Sequence, residues 1–334
     1  MVYSQSSTSR GTPAPTIEID KRGDVLLQLG PKAAPVANLL VSSRALSLSS
    51  PVFEAMFNHG FAEGEGVSSS SPRAVPMPED DVNDMTMLSK IVHLQTADIP
   101  SEIGFVQLAQ FAVLVDKYAC IDSVRPWSRI WASQLLGKVE DPSYEKLLFS
   151  SYVLDLPLEF YKVTRMIIRF RVDPINIETA THGYEFLPLH VIDRLHWDRK
   201  QLQERMMEVL YSPTMIQNTK ICYEAGRQVV PYLQALQDVQ LWPPRTMALQ
   251  KFHMGAQRLS QRTFSGYLCS QGQVGNCFCA STHEVQARVC PTTKKIFDSA
   301  TGLCLDCVIK KDSSGHFACR VLHDKNNRLV NSSS

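Results

Sequence analysis

Between Gly23 and Glu63 the apolar residues switch from the spacing of a strand to that of a helix. Val25, Leu26, Leu27 and Leu29 form a short run bracketed by Gly23-Asp24 and Gly30-Pro31, the punctuation of a buried strand. Leu39, Leu40 and Val41 supply its partner. From Leu46 onward, most of Leu46, Leu48, Val52, Phe53, Met56 and Phe57 gather on one helical face. Ser49 and Ser50 ahead of Pro51 mark a second helix start, because a serine oxygen accepts from the free amides of a first turn. The stretch predicts the order β-β-α-α.

Farther along, Gly64 to Pro72 reads as a loop holding the serine run Ser68 to Ser71. Ala74-Val75-Pro76-Met77-Pro78 predicts a third strand, placed at a sheet edge because proline has no amide to give. Asp80 or Asp81 caps a helix through Met85, Leu88, Ile91 and Val92. Phe105, Leu108, Ala112 and Val115 recur at helical intervals, and a further helix runs from Val124 to Leu136 with Pro126 in its first turn. Glu140-Asp141-Pro142 is a turn and a domain boundary. Beyond it, helices are predicted over Leu147–Leu154, Phe160–Phe170, Leu189–Leu210 and Thr246–Ser260, with Ile168 to Val172 alternating as a strand also would.

Four strings carry a family resemblance: Gly23-Asp24-Val25, Val41-Ser42-Ser43-Arg44-Ala45-Leu46, Ser50-Pro51-Val52-Phe53 and Ala55-Met56-Phe57. Together with Ala112 to Cys120 and Val124-Arg125-Pro126-Trp127, they make residues 20–136 similar to the BTB/POZ domains of fungal proteins. Ser42 and Ser43 stand where many animal members have a histidine followed by a lysine, so the resemblance does not extend to the dimer pocket of BTB transcription factors. It implies an α+β fold, a BTB/POZ domain of short strands flanked by helices, followed by a helical region over 142–262 and a Cys-rich zinc-binding segment over 264–325. Residues 1–16 read as a disordered leader and 326–334 as a tail. The resemblance also implies protein partners, a second copy of the chain or a cullin scaffold. Some BTB adaptors of cullin ubiquitin ligases carry a hydrophobic-x-acidic triplet after the helix ending in Met-Phe, and Phe61-Ala62-Glu63 occupies that place. Phe57, Phe61 and Glu63 are therefore the candidate partner-binding residues, against the plainer reading that Phe61 covers a helix end.

Composition narrows the classes. Across 334 residues, 34 Lys and Arg balance 33 Asp and Glu, which offers no broad field for nucleic acid or an anionic membrane. The polar N-terminus lacks a secretory core and no run approaches a bilayer span, so the expectation is a soluble protein of the cytoplasm or nucleus. No Walker loop, dinucleotide fingerprint, nucleophile elbow or His-Glu-x-x-His helix is present, and no catalytic residue is assigned.

The cysteines carry the remaining chemistry. Seven of nine fall between Cys269 and Cys319, and in a reducing compartment they read as metal ligands or free thiols. Cys304 and Cys307 form a Cys-x-x-Cys pair able to reach one tetrahedral zinc from a tight turn. Cys319 supplies a third ligand, and the fourth is His323 or His316, the resemblance favouring His323. Four ligands leave no open position, so the zinc would be structural. Cys269, Cys277, Cys279 and Cys290 admit a second site or plain thiols. From residue 264 onward eight basic and five acidic residues leave +3. That is a weak footprint for the alternative function, a nuclear regulator contacting DNA through this end.

Overall fold

The computed structural model describes residues 14–58, 62–64, 66, 68–172, 187–214, 225–262, 285–310 and 319–330. The chain is mixed α+β and divides into two compact units, Met1–Leu135 with Val153–Asp155, and Leu136–Tyr152 with Leu156–Ser334.

The first unit is built on a four-stranded sheet of β1 (Thr16–Glu18), β2 (Val25–Leu29), β3 (Ala37–Val41) and β4 (Arg73–Met77), in the order β1-β3-β2-β4. β2 and β3 pair antiparallel, with Leu27 opposite Leu39, while β4 joins β2 in parallel and β1 joins β3 in parallel. The hairpin turns at Gly30, whose φ of 90° suits a residue without a side chain. Burial alternates along β2 and β3: Val25, Leu27, Leu29, Leu39 and Val41 are buried, whereas Leu26 and Leu40 face a half-exposed side. The apolar run thus marks one buried face rather than two. Pro76 sits on β4 at the sheet edge, as its missing amide requires.

Helices α1 (Ser43–Ser49), α2 (Pro51–Asn58), α3 (Val82–Val92), α4 (Phe105–Lys117) and α5 (Ile121–Leu135) complete this unit. α1 begins at Ser43, three residues before the apolar period announces it, because polar groups set its start. Ser42 Oγ accepts from Ala45 N, and the Asp24 carboxylate takes both the amide and hydroxyl of Ser43 at 2.7 Å. Behind this cap, His93 Nε2 accepts the Ser42 amide at 2.9 Å while Nδ1 faces the Ser89 carbonyl at 2.7 Å. Since a carbonyl only accepts, His93 carries its hydrogen on Nδ1 and is neutral. Asp81 caps α3 through the amides of Asn83 and Asp84. α5 starts at Ile121, so Pro126 lies inside the helix rather than in its first turn. Phe53 stacks on Tyr118 at 4.3 Å, and the Tyr118 hydroxyl and Lys117 ammonium both donate to the buried Asp80 carboxylate.

The second unit contains α6 (Glu145–Val153), α7 (Pro157–Phe170), α8 (Leu189–Tyr211), α9 (Ala225–Asp238), α10 (Leu249–Ser260), α11 (Cys290–Asp298) and α12 (Leu305–Lys310). Ile168 to Phe170 is helical, which decides the alternation noted above in favour of helix. α11 packs on α8 and α10, and α12 packs on α7. The Cys-rich end looks poor in core residues as sequence. Its described part nevertheless buries Ile296, Ala300, Leu303, Leu305 and Val321. No helix among the described residues is long and apolar enough to cross a membrane.

Candidate metal centre

α7 is the platform on which the site is assembled. Pro157 opens it at a position where no amide is needed, and its inward face is Phe160, Val163, Thr164, Ile167 and Ile168. Arg165 and Arg169, one turn apart, reach the end of α11: Arg165 Nε donates to the Ala300 carbonyl at 3.3 Å and Arg169 to the Asp298 carbonyl at 3.4 Å. Carbonyls left open by the end of a helix are thereby satisfied by cations, which the helix dipole favours there.

The chain then crosses α7 at Gly302 in very close approach. A Cβ on Gly302 would lie 1.9 Å from the Tyr161 carbonyl oxygen, so no other residue fits without displacement. Next in sequence, the Leu303 amide donates to Thr164 Oγ1 at 2.9 Å, and the Thr164 hydroxyl in turn faces the carbonyls of Phe160 and Tyr161. These contacts fix the two residues that precede Cys304.

Cys304 leads into α12 and Cys307 lies within it, the Val308 amide closing on the Cys304 carbonyl at 3.0 Å. His190 of α8 holds the same short helix through Nε2 and the Val308 carbonyl at 3.2 Å. Cys319 and His323 come from the segment 319–330, which doubles back on itself. His323 bridges Leu329, the Val330 amide donates to the Leu322 carbonyl, and Asp324 Oδ1 accepts the amides of Asn326 and Arg328. Asn327, at φ 56°, makes the bend, and its carbonyl accepts the Tyr161 hydroxyl at 2.8 Å.

These elements bring Cys304, Cys307, Cys319 and His323 together, their ligating atoms all within 4.8 Å of one another. Cys307 Sγ lies 3.6 Å from Cys319 Sγ and 3.4 Å from His323 Nε2. His323 Nδ1 sits 2.9 Å from the Asp324 carbonyl, which takes its hydrogen and leaves Nε2 with the lone pair a metal needs. Cys304, Cys319 and His323 are buried; Cys307 is half-buried. Burial, followed by the neighbouring thiols, pushes the Cys307 thiol up to about 12, and burial likewise raises Cys304. Cys304 and Cys307 thus hold their protons unless a cation takes their place. The group can hold one metal ion, and loading it releases protons.

Between the two pairs of ligands stands a support that the cysteine spacing does not reveal. Asp306, buried inside the Cys-x-x-Cys turn, accepts the Arg320 amide at 2.7 Å, and its other oxygen takes Nε at 2.9 Å and a terminal guanidinium nitrogen at 2.7 Å. One carboxylate therefore ties the residue between the first two cysteines to the residue after the third. An acid within the pair and an arginine directly after Cys319 are the signal in the sequence. For Thr164 and Gly302 there is none, since their roles depend on the crossing over α7.

The other residues singled out from sequence fall elsewhere. His316, Cys269, Cys277, Cys279 and Phe61 lie outside the described residues. Cys290 begins α11 and donates from Sγ to the Ala256 carbonyl at 3.1 Å, its thiol pushed up to about 11 by burial. Phe57 is buried at the end of α2, its ring parallel to that of Phe53 at 6.0 Å, so that ring serves the core of the first unit. Glu63 is half-buried in a short turn, Ala62–Gly64, where Gly64 packs closely on the Phe57 carbonyl. No protein-family model matches this chain, and no curated protein is found to match it.

Proposed function

We propose that this chain is a protein–protein interaction module. Its first unit, of BTB/POZ type, self-associates or recruits a partner, and its second unit is closed by a structural zinc. The observation that carries the reading is the pairing in the first unit. A β-β hairpin, two helices, a third strand at the sheet edge and three further helices support the resemblance over residues 20–136.

Zinc is the metal the donor set favours. Three thiolates and an imidazole are a known structural zinc combination, with bonds of about 2.3 Å to sulfur and about 2.0 Å to nitrogen. A tetrahedron of those bonds has edges of about 3.8 Å between sulfurs and about 3.5 Å from sulfur to nitrogen. The separations of 3.6 and 3.4 Å are close to both. All four positions are filled by protein, which suits a structural role.

As partners the reading takes a second copy or a cullin scaffold, in the cytoplasm or nucleus. On that reading Phe61 and Glu63 carry the cullin contact and Phe57 supports it from the core. Native mass spectrometry with and without a chelator reports subunit and metal counts together. A monomer without zinc, from which a cullin scaffold is not retained in a pull-down, overturns the proposal. Retention that disappears on Phe61→Ala with Glu63→Ala selects the adaptor form of it.

A further inference from the structure

We infer that the metal centre is a peroxide-responsive release site, in which Cys307 is the sulfur attacked and Cys319 the sulfur that resolves it. The inference rests on the zinc reading above. Three of the four ligands are buried, and only Cys307 reaches a half-exposed position. A small neutral oxidant therefore meets one sulfur first. Cys319 Sγ lies 3.6 Å from Cys307 Sγ and comes from a separate segment, twelve residues later in the chain. Resolution needs a second thiolate within reach of the first, and the site already places one there.

The step balances with hydrogen peroxide as oxidant. The Cys307 thiolate attacks one peroxide oxygen, an S–O bond forms as the O–O bond breaks, and hydroxide leaves to be protonated to water. The Cys319 thiolate then attacks the sulfenic sulfur, forming the S–S bond and expelling a second hydroxide, also protonated. Two electrons pass from the two sulfurs to peroxide, giving one disulfide and two waters. A zinc held by this group would keep only Cys304 and His323, half of the four protein ligands a structural site uses, and would be released.

What distinguishes this site is what remains afterwards. Asp306 still holds Arg320, Tyr161 still holds the Asn327 carbonyl, and the new disulfide joins the same two segments that the metal joined. Oxidation exchanges one cross-link for another. Metal is released while the second unit stays folded, and reduction with added zinc restores the original state.

The sequence makes the product easy to read. Trypsin cleaves after Lys295, Lys310, Lys311 and Arg320, so Cys304 and Cys307 share one peptide and Cys319 lies in another. The test is to confirm one zinc per chain by native mass spectrometry, add peroxide, follow released zinc with a chromogenic chelator, and map peptides without reduction. Circular dichroism is recorded in parallel. Expected are stoichiometric release, a linked peptide pair whose fragments place the bond at Cys307 and Cys319, retained helical signal, and reversal by dithiothreitol plus zinc. Dimedone added with the peroxide should trap a sulfenic acid at Cys307. Release through a Cys304–Cys307 bond, release with loss of helix, or zinc retained while other thiols oxidise each overturns the inference. A protein with no zinc before peroxide fails the zinc reading instead, and the two failures are thereby distinct.

Discussion

Replacing Gly302 by alanine tests how much of the metal centre depends on the crossing over α7. The new Cβ would sit 1.9 Å from the Tyr161 carbonyl oxygen and 2.8 Å from its carbon, against an ordinary approach of about 3.4 Å. Clearing that overlap moves the chain off α7 by more than about 1 Å, which stretches the 2.9 Å bond from the Leu303 amide to Thr164 beyond hydrogen-bonding range. A buried amide left unpaired costs about 1–3 kcal/mol, and forced overpacking costs about 1–3 kcal/mol more. A total near 3 kcal/mol is about two orders of magnitude in the folding equilibrium. For a unit of this size it lowers Tm by roughly 6–12 °C. Cys304 lies two residues on, so affinity for the proposed zinc should fall with it, by at least about tenfold on the scale of lost outer-shell support. Thermal unfolding of zinc-loaded protein and competition against a calibrated chelator measure both quantities. Gly137→Ala is the control, because nothing lies within 4 Å of its added carbon, and a surface change of that kind stays within about 0.5 kcal/mol. If Gly302→Ala melts with the wild type and binds zinc equally well, the crossing does not hold the site and the reasoning fails.

Burial, then Asp81, raises the Asp84 carboxyl from 3.8 to about 6, so its contribution to stability is full below pH 3.8 and is lost as pH rises through about 6. Asp84→Asn should therefore stabilise the first unit at pH 7.5 by about 2 kcal/mol and change little at pH 4, which chemical unfolding at the two pH values decides. Burial lowers His93, so its contribution has the opposite sign: present above pH 6.5, lost as pH falls, and absent in His93→Ala, whose unfolding profile should be flatter between pH 7 and 5. Tyr118→Phe removes a donor to a buried carboxylate and should cost about 1.5–3 kcal/mol by urea denaturation. Arg320→Lys keeps the charge but loses the planar two-nitrogen grip on Asp306, and should weaken zinc binding without changing the stoichiometry seen by native mass spectrometry.

Periodicity located the elements whose faces are buried, and it was weakest where polar groups set the boundary. Val25 to Leu29 and Phe105 to Val115 were readable because packing alone decides them. The start of α1 was not, since it depends on Asp24, nineteen residues away from Ser43. α9 was missed although Tyr232, Leu236 and Val239 are buried, because Pro231 and a glycine near its start argue against helix in a short window. For the metal centre, cysteine spacing yielded the four ligands, with His323 chosen by resemblance. The structure adds a reason for that choice, the Asp324 carbonyl that orients the ring. Thr164, Gly302 and Tyr161 could not be found from sequence, because nothing local to them signals a partner 139 or more residues away.

That separation carries its own consequence. The four candidate ligands arise within twenty residues of one another, yet the surface that shapes their approach is made by α7, far earlier in the chain. A metal ion in place would thus testify that the early helix has formed and that the late segment has found it. A metal bound there would therefore be captured late in synthesis rather than nucleating the fold, and its presence would report that two distant parts of the second unit have met.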